Sequence, residues 1–257
     1  MILERKADQI RKETRNPDIR SKLASGNPAK QVITQSIIRP VKMLVTYPVV
    51  TLMCFYIAFL YGALYILFTT FTFVFEDNYN FSATSAGLSF LGSGVGSFMG
   101  LAYGGTFSDR AIRKKQALGQ APTPEDRLPF LLTIPAAFSL PLGLFIYGWS
   151  AEYRIHWIVP EIGTAIIGFG MITVLMCIQT YLVDAYTIHA ASVTAANASL
   201  RSALGGLLPL CGLKLYDSIG LGWGNSLLAF IALAMAPLPI VFRIFGARLR
   251  NLSSSKD

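Results

Sequence analysis

The chain has 257 residues, of which 53% are hydrophobic and only 14% charged, well under the quarter or so that is charged in a soluble domain. That balance excludes an ordinary water-soluble globule and makes lipid part of the solvent. The net charge of +8 does not point to nucleic acid, because the cations gather in alternate connections between apolar runs and not across one face.

Residues 1–43 are polar and of mixed charge, broken by Pro17, Gly26 and Pro28. They are expected to form a cytoplasmic linker with one short amphipathic helix; the alternative is that their cations lie against an anionic leaflet. Residues 44–245 are expected to form a bundle of six transmembrane helices, and 246–257 a cytoplasmic tail. The six apolar runs cover 46–73, 86–107, 129–149, 157–182, 191–213 and 223–242, each near the ~20 residues that cross a ~30 Å hydrocarbon core. Nineteen of the 22 Lys and Arg fall in the first segment, the second connection and the stretch after the last run. Both termini are therefore expected on the cytoplasmic side. Cys54, Cys177 and Cys211 lie inside apolar runs with no Cys-x-x-Cys and no neighbouring histidine, so they read as small buried hydrophobes, and neither a metal nor a cofactor is expected.

The first run carries Tyr61, Tyr65, Phe68 and Thr72 at helical spacing beside Gly62. Such a stripe either packs against a neighbouring helix or stacks on a planar or cationic solute. Beyond it, Asn80-Phe-Ser82 is a glycosylation sequon on the expected outer side. The second run places Gly92, Gly96 and Gly100 on one face, which permits close helix crossing and suits either a sliding or a static contact. It leads into Gly105-Thr-Phe-Ser-Asp109-Arg110-Ala-Ile-Arg113-Lys114-Lys115, read as a turn that sets a carboxylate and several cations at the cytoplasmic surface. Glu125 and Arg127 follow, placed to cap or pair at the start of the third run. Glu161 lies about 6 Å inward of the interfacial Trp157 at 1.5 Å per residue, where a carboxylate needs a partner, water or a proton, or else snorkels. Asp184 closes the fourth run and reads as a helix-end pairing residue. The fifth run holds Arg201 roughly 16 Å deep. A cation at that depth costs on the order of 3 kcal/mol or more unless it faces protein or water, so it lines an internal cavity or meets a carboxylate. Asn197 and Thr194 share its face, and Gly205, Gly206 and Pro209 mark a bend just beyond it.

Taken in order, these stretches resemble the C-terminal half of a fungal major facilitator superfamily transporter of the twelve-spanner drug:proton antiporter type. The resemblance is carried by Arg39-Pro-Val-Lys-Met-Leu, Tyr61-Gly-Ala-Leu-Tyr65, Gly87-Leu-Ser-Phe-Leu-Gly92, the Gly105 to Lys115 stretch, Pro124-Glu125-Asp-Arg127-Leu128-Pro129, Tyr181-Leu-Val-Asp184, Ala190 to Asn197, Leu200-Arg201-Ser202 and Gly222-Trp223-Gly-Asn-Ser. The family's loop pattern is Gly-x-Leu-Ala-Asp-Arg-x-Gly-Arg-Lys; Gly105, Asp109, Arg110, Arg113 and Lys114 match it, whereas Phe107, Ser108 and Ile112 depart from it. The resemblance implies an all-α membrane fold, one six-helix half of the major facilitator architecture, in which Asp109 and its cations stabilise one conformation at the cytoplasmic gate; the conformational-gate candidates are Gly105, Asp109, Arg110, Arg113 and Asp184. It also implies that the first residues resemble the central loop joining two halves, so the chain is a fragment, a decayed transporter or a half-unit that pairs with a second chain.

The expected function is secondary, proton-coupled export of small amphipathic or cationic compounds, with Arg201, Asn197, Tyr61, Tyr65, Phe68 and Glu161 as substrate-binding candidates. The expected partners are the lipid bilayer, the solute, protons and a missing N-terminal six-helix half or second chain, and the expected place is the plasma membrane. The alternative is a non-transporting membrane protein that only oligomerises, through the glycine face. An enzyme is not expected, since no paired-carboxylate, His-rich or Ser/Lys constellation lies at membrane depth. The three repeats of a mitochondrial-type solute carrier are also absent from the sequence.

Overall fold

The computed structural model describes residues 29–254 and divides the chain into two units, Met1–Arg39 and Pro40–Asp257. The first 28 residues of the expected linker, with its short helix, lie outside the described residues, as do the last three of the tail. Helix α1 (Ala29–Thr46) contains Pro40. The second unit is a helical bundle.

Helix α2 (Pro48–Tyr79) opens with a proline in its first turn, where the missing N–H is no loss. It ends at Asn80, whose left-handed φ of 54° lets its N–H bond back to the Phe75 carbonyl. The sequon asparagine is therefore also the C-cap of the longest helix. A short helix α3 (Ala83–Leu88) is capped by Ser82, whose hydroxyl accepts from the Ser85 N–H at 3.3 Å.

Helix α4 (Phe90–Ala117) extends ten residues beyond the expected end of its run. The Gly105 to Lys115 stretch is thus not a turn but the last turns of a helix, closed by Lys114 and Lys115, whose charges suit a helix C-terminus. After it, a 3₁₀ turn (Pro124–Arg127) leads into α5 (Phe130–Glu152), then α6 (Ile158–Ala185), a second 3₁₀ turn (Thr187–His189) and α7 (Ala190–Leu207). The bend expected after Arg201 is the break at Leu208, with Pro209 opening α8 (Pro209–Met235). Within α8, Gly220 (φ 79°, ψ 169°) abandons helical geometry and the chain doubles back, so that Tyr216 donates from its hydroxyl to Asn225 Oδ1 at 3.0 Å. Helix α9 (Leu238–Ser254) completes the last rod.

By length and composition four stretches among the described residues could cross a bilayer: Pro48–Tyr79, Phe130–Glu152, Ile158–Ala185 and Pro209–Gly246, the last interrupted by the reversal at Gly220. Six were expected. The other two rods, α4 and α7, are 28 and 18 residues long, but Gly, Ser and Ala replace the large side chains that make a run apolar.

Those small residues are used inside the bundle. A Cβ at Gly92 would meet Glu161, one at Gly96 the Ala165 backbone and one at Gly100 the Phe169 carbonyl. The register advances by four on both helices, so α4 and α6 lie parallel with backbones nearly touching. Thr173 Oγ1 donates across the seam to the Gly100 carbonyl at 3.0 Å. The glycine face offered for oligomerisation is therefore already occupied within this chain. Helix α6 is gripped on its other side by α5, where a Cβ at Gly163 would approach the Tyr147 N at 2.9 Å. Helix α5 in turn holds α8 through the Trp149 Nε1 bond to Ser226 Oγ at 3.1 Å. Tyr56, Phe71, Phe75, Tyr147 and Tyr181 are fully buried in the aromatic core. Cys54 and Cys177 are buried as expected, but Cys211 is exposed, because it sits on a face of α8 that no neighbour covers.

Candidate functional site

Helices α2 and α7 cross where Gly62 faces Leu208 and Gly205 faces the Tyr65 ring, a Cβ at Gly205 lying 3.2 Å from that ring. Beside this crossing is a cavity of about 420 Å³ lined by Tyr61, Tyr65, Arg201, Ser202, Gly205 and Gly206. Arg201 is the twelfth residue of α7, roughly 17 Å from its start. Its guanidinium lies over the Tyr61 ring, 4.8 Å from the centroid, and Nη1 donates to the Tyr61 hydroxyl at 3.3 Å. No ion pair to it occurs among the described residues. Of the two fates open to a cation at that depth, it has the cavity and not the carboxylate.

The other solute-binding candidates are placed differently. Asn197 is 1% exposed and turned to α6, where its Nδ2 donates to Gln179 Oε1 at 2.6 Å and Gln179 Nε2 donates to Thr194 Oγ1 at 2.9 Å. Phe68 packs edge-on against Tyr65 and Phe90. Glu161 is away from the cavity lining: its Oε1 accepts from the Gly92 N–H at 2.7 Å, one of the amides that the first turn of α4 leaves without a helical partner. The structure thus brings Tyr61, Tyr65 and Arg201 together, with Ser202, Gly205 and Gly206. Asn197, Phe68 and Glu161 are in its supporting walls and seams.

At the basic end of the bundle a second constellation forms. Arg127 donates from Nε to Asp184 Oδ2 at 2.7 Å and from Nη1 to Asp109 Oδ1 at 3.3 Å. One guanidinium, from the 3₁₀ turn, thereby ties the end of α4 to the end of α6. The sequence marks both carboxylates, but it offers Arg127 only as a cap or a local pair. Arg110 lies over the Phe107 ring at 5.7 Å, and Arg113 lines with it, Gly105 and Asp109 a groove of about 400 Å³. Arg243 of α9 donates to the carbonyls of Glu125 and Leu128 at 3.2 and 2.7 Å and stacks on Phe130.

The 3₁₀ turn opens on Thr123, which Asp126 caps in return. Asp126 accepts from the Thr123 N–H at 2.8 Å and hydroxyl at 2.9 Å, and it meets Lys115 Nζ at 2.8 Å. Burial works to raise its pKa, but the Lys115 and Thr123 hydrogen bonds outweigh it and hold the carboxyl below its ordinary 3.8. Because the folded value is depressed, the stabilisation is complete above that ordinary value and is lost as pH falls through the lower one. Amide protection at Thr123 and Asp126, taken relative to the intrinsic exchange rate at each pH, is therefore expected to persist down to the ordinary carboxylate range and to fall only below it. Loss of protection already near neutral pH would contradict the assignment.

The long apolar helices and their close backbone packing are those of an integral membrane protein. The profile of the Major Facilitator Superfamily matches residues 4–209, and the chain belongs to that superfamily. It is 51% identical over 250 residues to the MFS-type transporter penM of Penicillium rubens, covering 97% of this chain and 49% of the relative. It is 50% identical to tndD of Aspergillus flavipes, covering 98% and 47%, and 47% identical to atr4 of Stereocaulon alpinum, covering 99% and 46%. The chain thus spans about half the length of the curated relatives it matches. No solved structure matches it significantly.

Proposed function

We propose that this six-helix half forms one wall of the solute path of a secondary transporter that exports small amphipathic compounds in exchange for protons. The observation that supports it most is the Arg201 cavity: a charge held roughly 17 Å along α7 beside two tyrosine rings, in a chain of a transport family. A second six-helix half, on the same polypeptide or on another chain, completes the path. The basic end faces the cytoplasm of a plasma membrane, as the clustering of Lys and Arg there favours.

In this reading Arg127 is the pin of a gate. While it neutralises Asp109 and Asp184 together, the ends of α4 and α6 stay joined, and opening that end requires the pairs to separate. The pairs are partly exposed, with side-chain exposures of 24% for Arg127, 58% for Asp109 and 38% for Asp184, which makes them weak enough for a conformational change to separate. Arg127→Ala is expected to lower the maximal transport rate several-fold, roughly the effect of one or two such pairs, while leaving the relative preference among solutes unchanged. An unchanged rate would remove the gate.

The reading as a whole is tested in membrane vesicles from cells that make the protein at its native locus, loaded with a pH-sensitive dye. A panel of amphipathic solutes is expected to include some that drive proton movement only when the protein is present. Vesicles that contain the protein yet show no solute-dependent proton movement would overturn it.

A further inference from the structure

The chemistry of the cavity narrows the solute further, given the reading above that the cavity holds it. Among the described residues three arginines are half-buried, Arg127, Arg201 and Arg243, and two of them are engaged by strong acceptors. Arg127 meets two carboxylates, and Arg243 meets two carbonyl oxygens and a ring. Arg201 differs. Among the described residues its one hydrogen bond is the 3.3 Å contact to the Tyr61 hydroxyl, and it has no ion pair there. A guanidinium carries five donors in a planar fork that fits a carboxylate two at a time. Stacking on Tyr61 occupies its face and leaves its edge for such an acceptor.

The lining repeats this asymmetry. It contains one cation, no carboxylate, the serine hydroxyl of Ser202 and two tyrosine rings whose centroids are 6.2 Å apart. A Cβ at Gly206 would meet nothing, so the floor is open for a flat body to lie against backbone. The volume of about 420 Å³ falls in the range of small-molecule sites, about 300–1,000 Å³. A cationic solute would meet Arg201 as a like charge in a poorly screened place.

We propose that the cavity takes a monoanionic amphipathic solute, a carboxylate on an aromatic or flat apolar body, with the carboxylate on Arg201 and the body against Tyr61 and Tyr65. Of the two solute classes that the sequence leaves open, amphipathic and cationic, this selects an acidic amphiphile and rejects the cation.

The test uses the purified 257-residue chain in lipid nanodiscs and three probes of one shape: naphthoate, naphthamide and naphthylmethylammonium. Calorimetry is expected to show naphthoate binding about tenfold or more tighter than either of the others, the margin a charge-assisted pair confers. This comparison is made on the unaltered protein, so it does not depend on any variant folding. Arg201→Gln should erase the preference, and Arg201→Lys should keep it at lower affinity, since an ammonium lacks the fork. Equal or tighter binding of the ammonium, a preference that survives Arg201→Gln, or no binding of any probe would each overturn the proposal. Proton flux in vesicles decides the transport reading separately. Flux without an anion preference sinks only this inference; an anion preference without flux sinks only the transport reading.

Discussion

Replacing Arg201 by alanine is expected to cut solute flux by roughly 10- to 100-fold, the consequence of losing a charged hydrogen-bonding partner worth about 1.5–3 kcal/mol. The amount of protein in the membrane should stay near normal. The reason lies in what Arg201 does not hold: one long bond to the Tyr61 hydroxyl and a ring contact tie it down, and no buried carboxylate is left alone by its removal. Initial flux rates in vesicles, set against the amount of protein detected with an antibody to residues 248–257, separate the two effects. If protein is lost in proportion to flux, Arg201 is a structural partner and not a solute ligand.

Gly96→Ala is expected to destabilise the bundle by about 2 kcal/mol or more, an overpacking effect made severe by what the new methyl group meets. It would run into the backbone of Ala165, which cannot rotate away as a side chain would. Helices α4 and α6 would have to part, breaking the Thr173 bond to the Gly100 carbonyl at the next rung. Gly94→Ala is the matched control, because a Cβ there meets nothing and alanine is the better helix former by about 1 kcal/mol. Thermal unfolding in detergent, followed by the survival of a monodisperse peak, should rank Gly94→Ala at or above the unaltered chain and Gly96→Ala clearly below it. Equal melting of the two variants would mean that the seam is not tight.

The parts of this architecture that were legible in the sequence are those fixed by local spacing. Glycines four apart define one helix face whatever lies opposite, so the small-residue face of α4 could be read, as could the place of Arg201 along its helix and the break after Gly206. Partners across the bundle could not. Arg127 lies 18 residues from Asp109 and 57 from Asp184, and only the stacking of α4 against α6 brings the two carboxylates within reach of one side chain. Asn197 shares a face with Arg201 by helical count, yet a modest rotation gives it to Gln179, a residue that nothing in its local sequence distinguishes. The helical course of Gly105 to Lys115 was missed for a related reason. Glycine and a run of charge read as a turn, whereas the seam with α6 holds the earlier part of α4 and its cations suit its C-terminal end.

The proposed solute site lies between Tyr61, Tyr65 and Arg201. Its most direct test is the reaction of a cysteine at position 202 with a thiol reagent. The variant Ser202→Cys is made together with Cys211→Ser, since Cys211 is the exposed native cysteine while Cys54 and Cys177 are buried. Ser202 lines the cavity, so an occupant lying against the two rings must shield it. If the solute occupies this place, labelling slows in the presence of saturating naphthoate or naphthylmethylammonium, whichever binds. Labelling at an unchanged rate while a solute is being transported at saturation would contradict it.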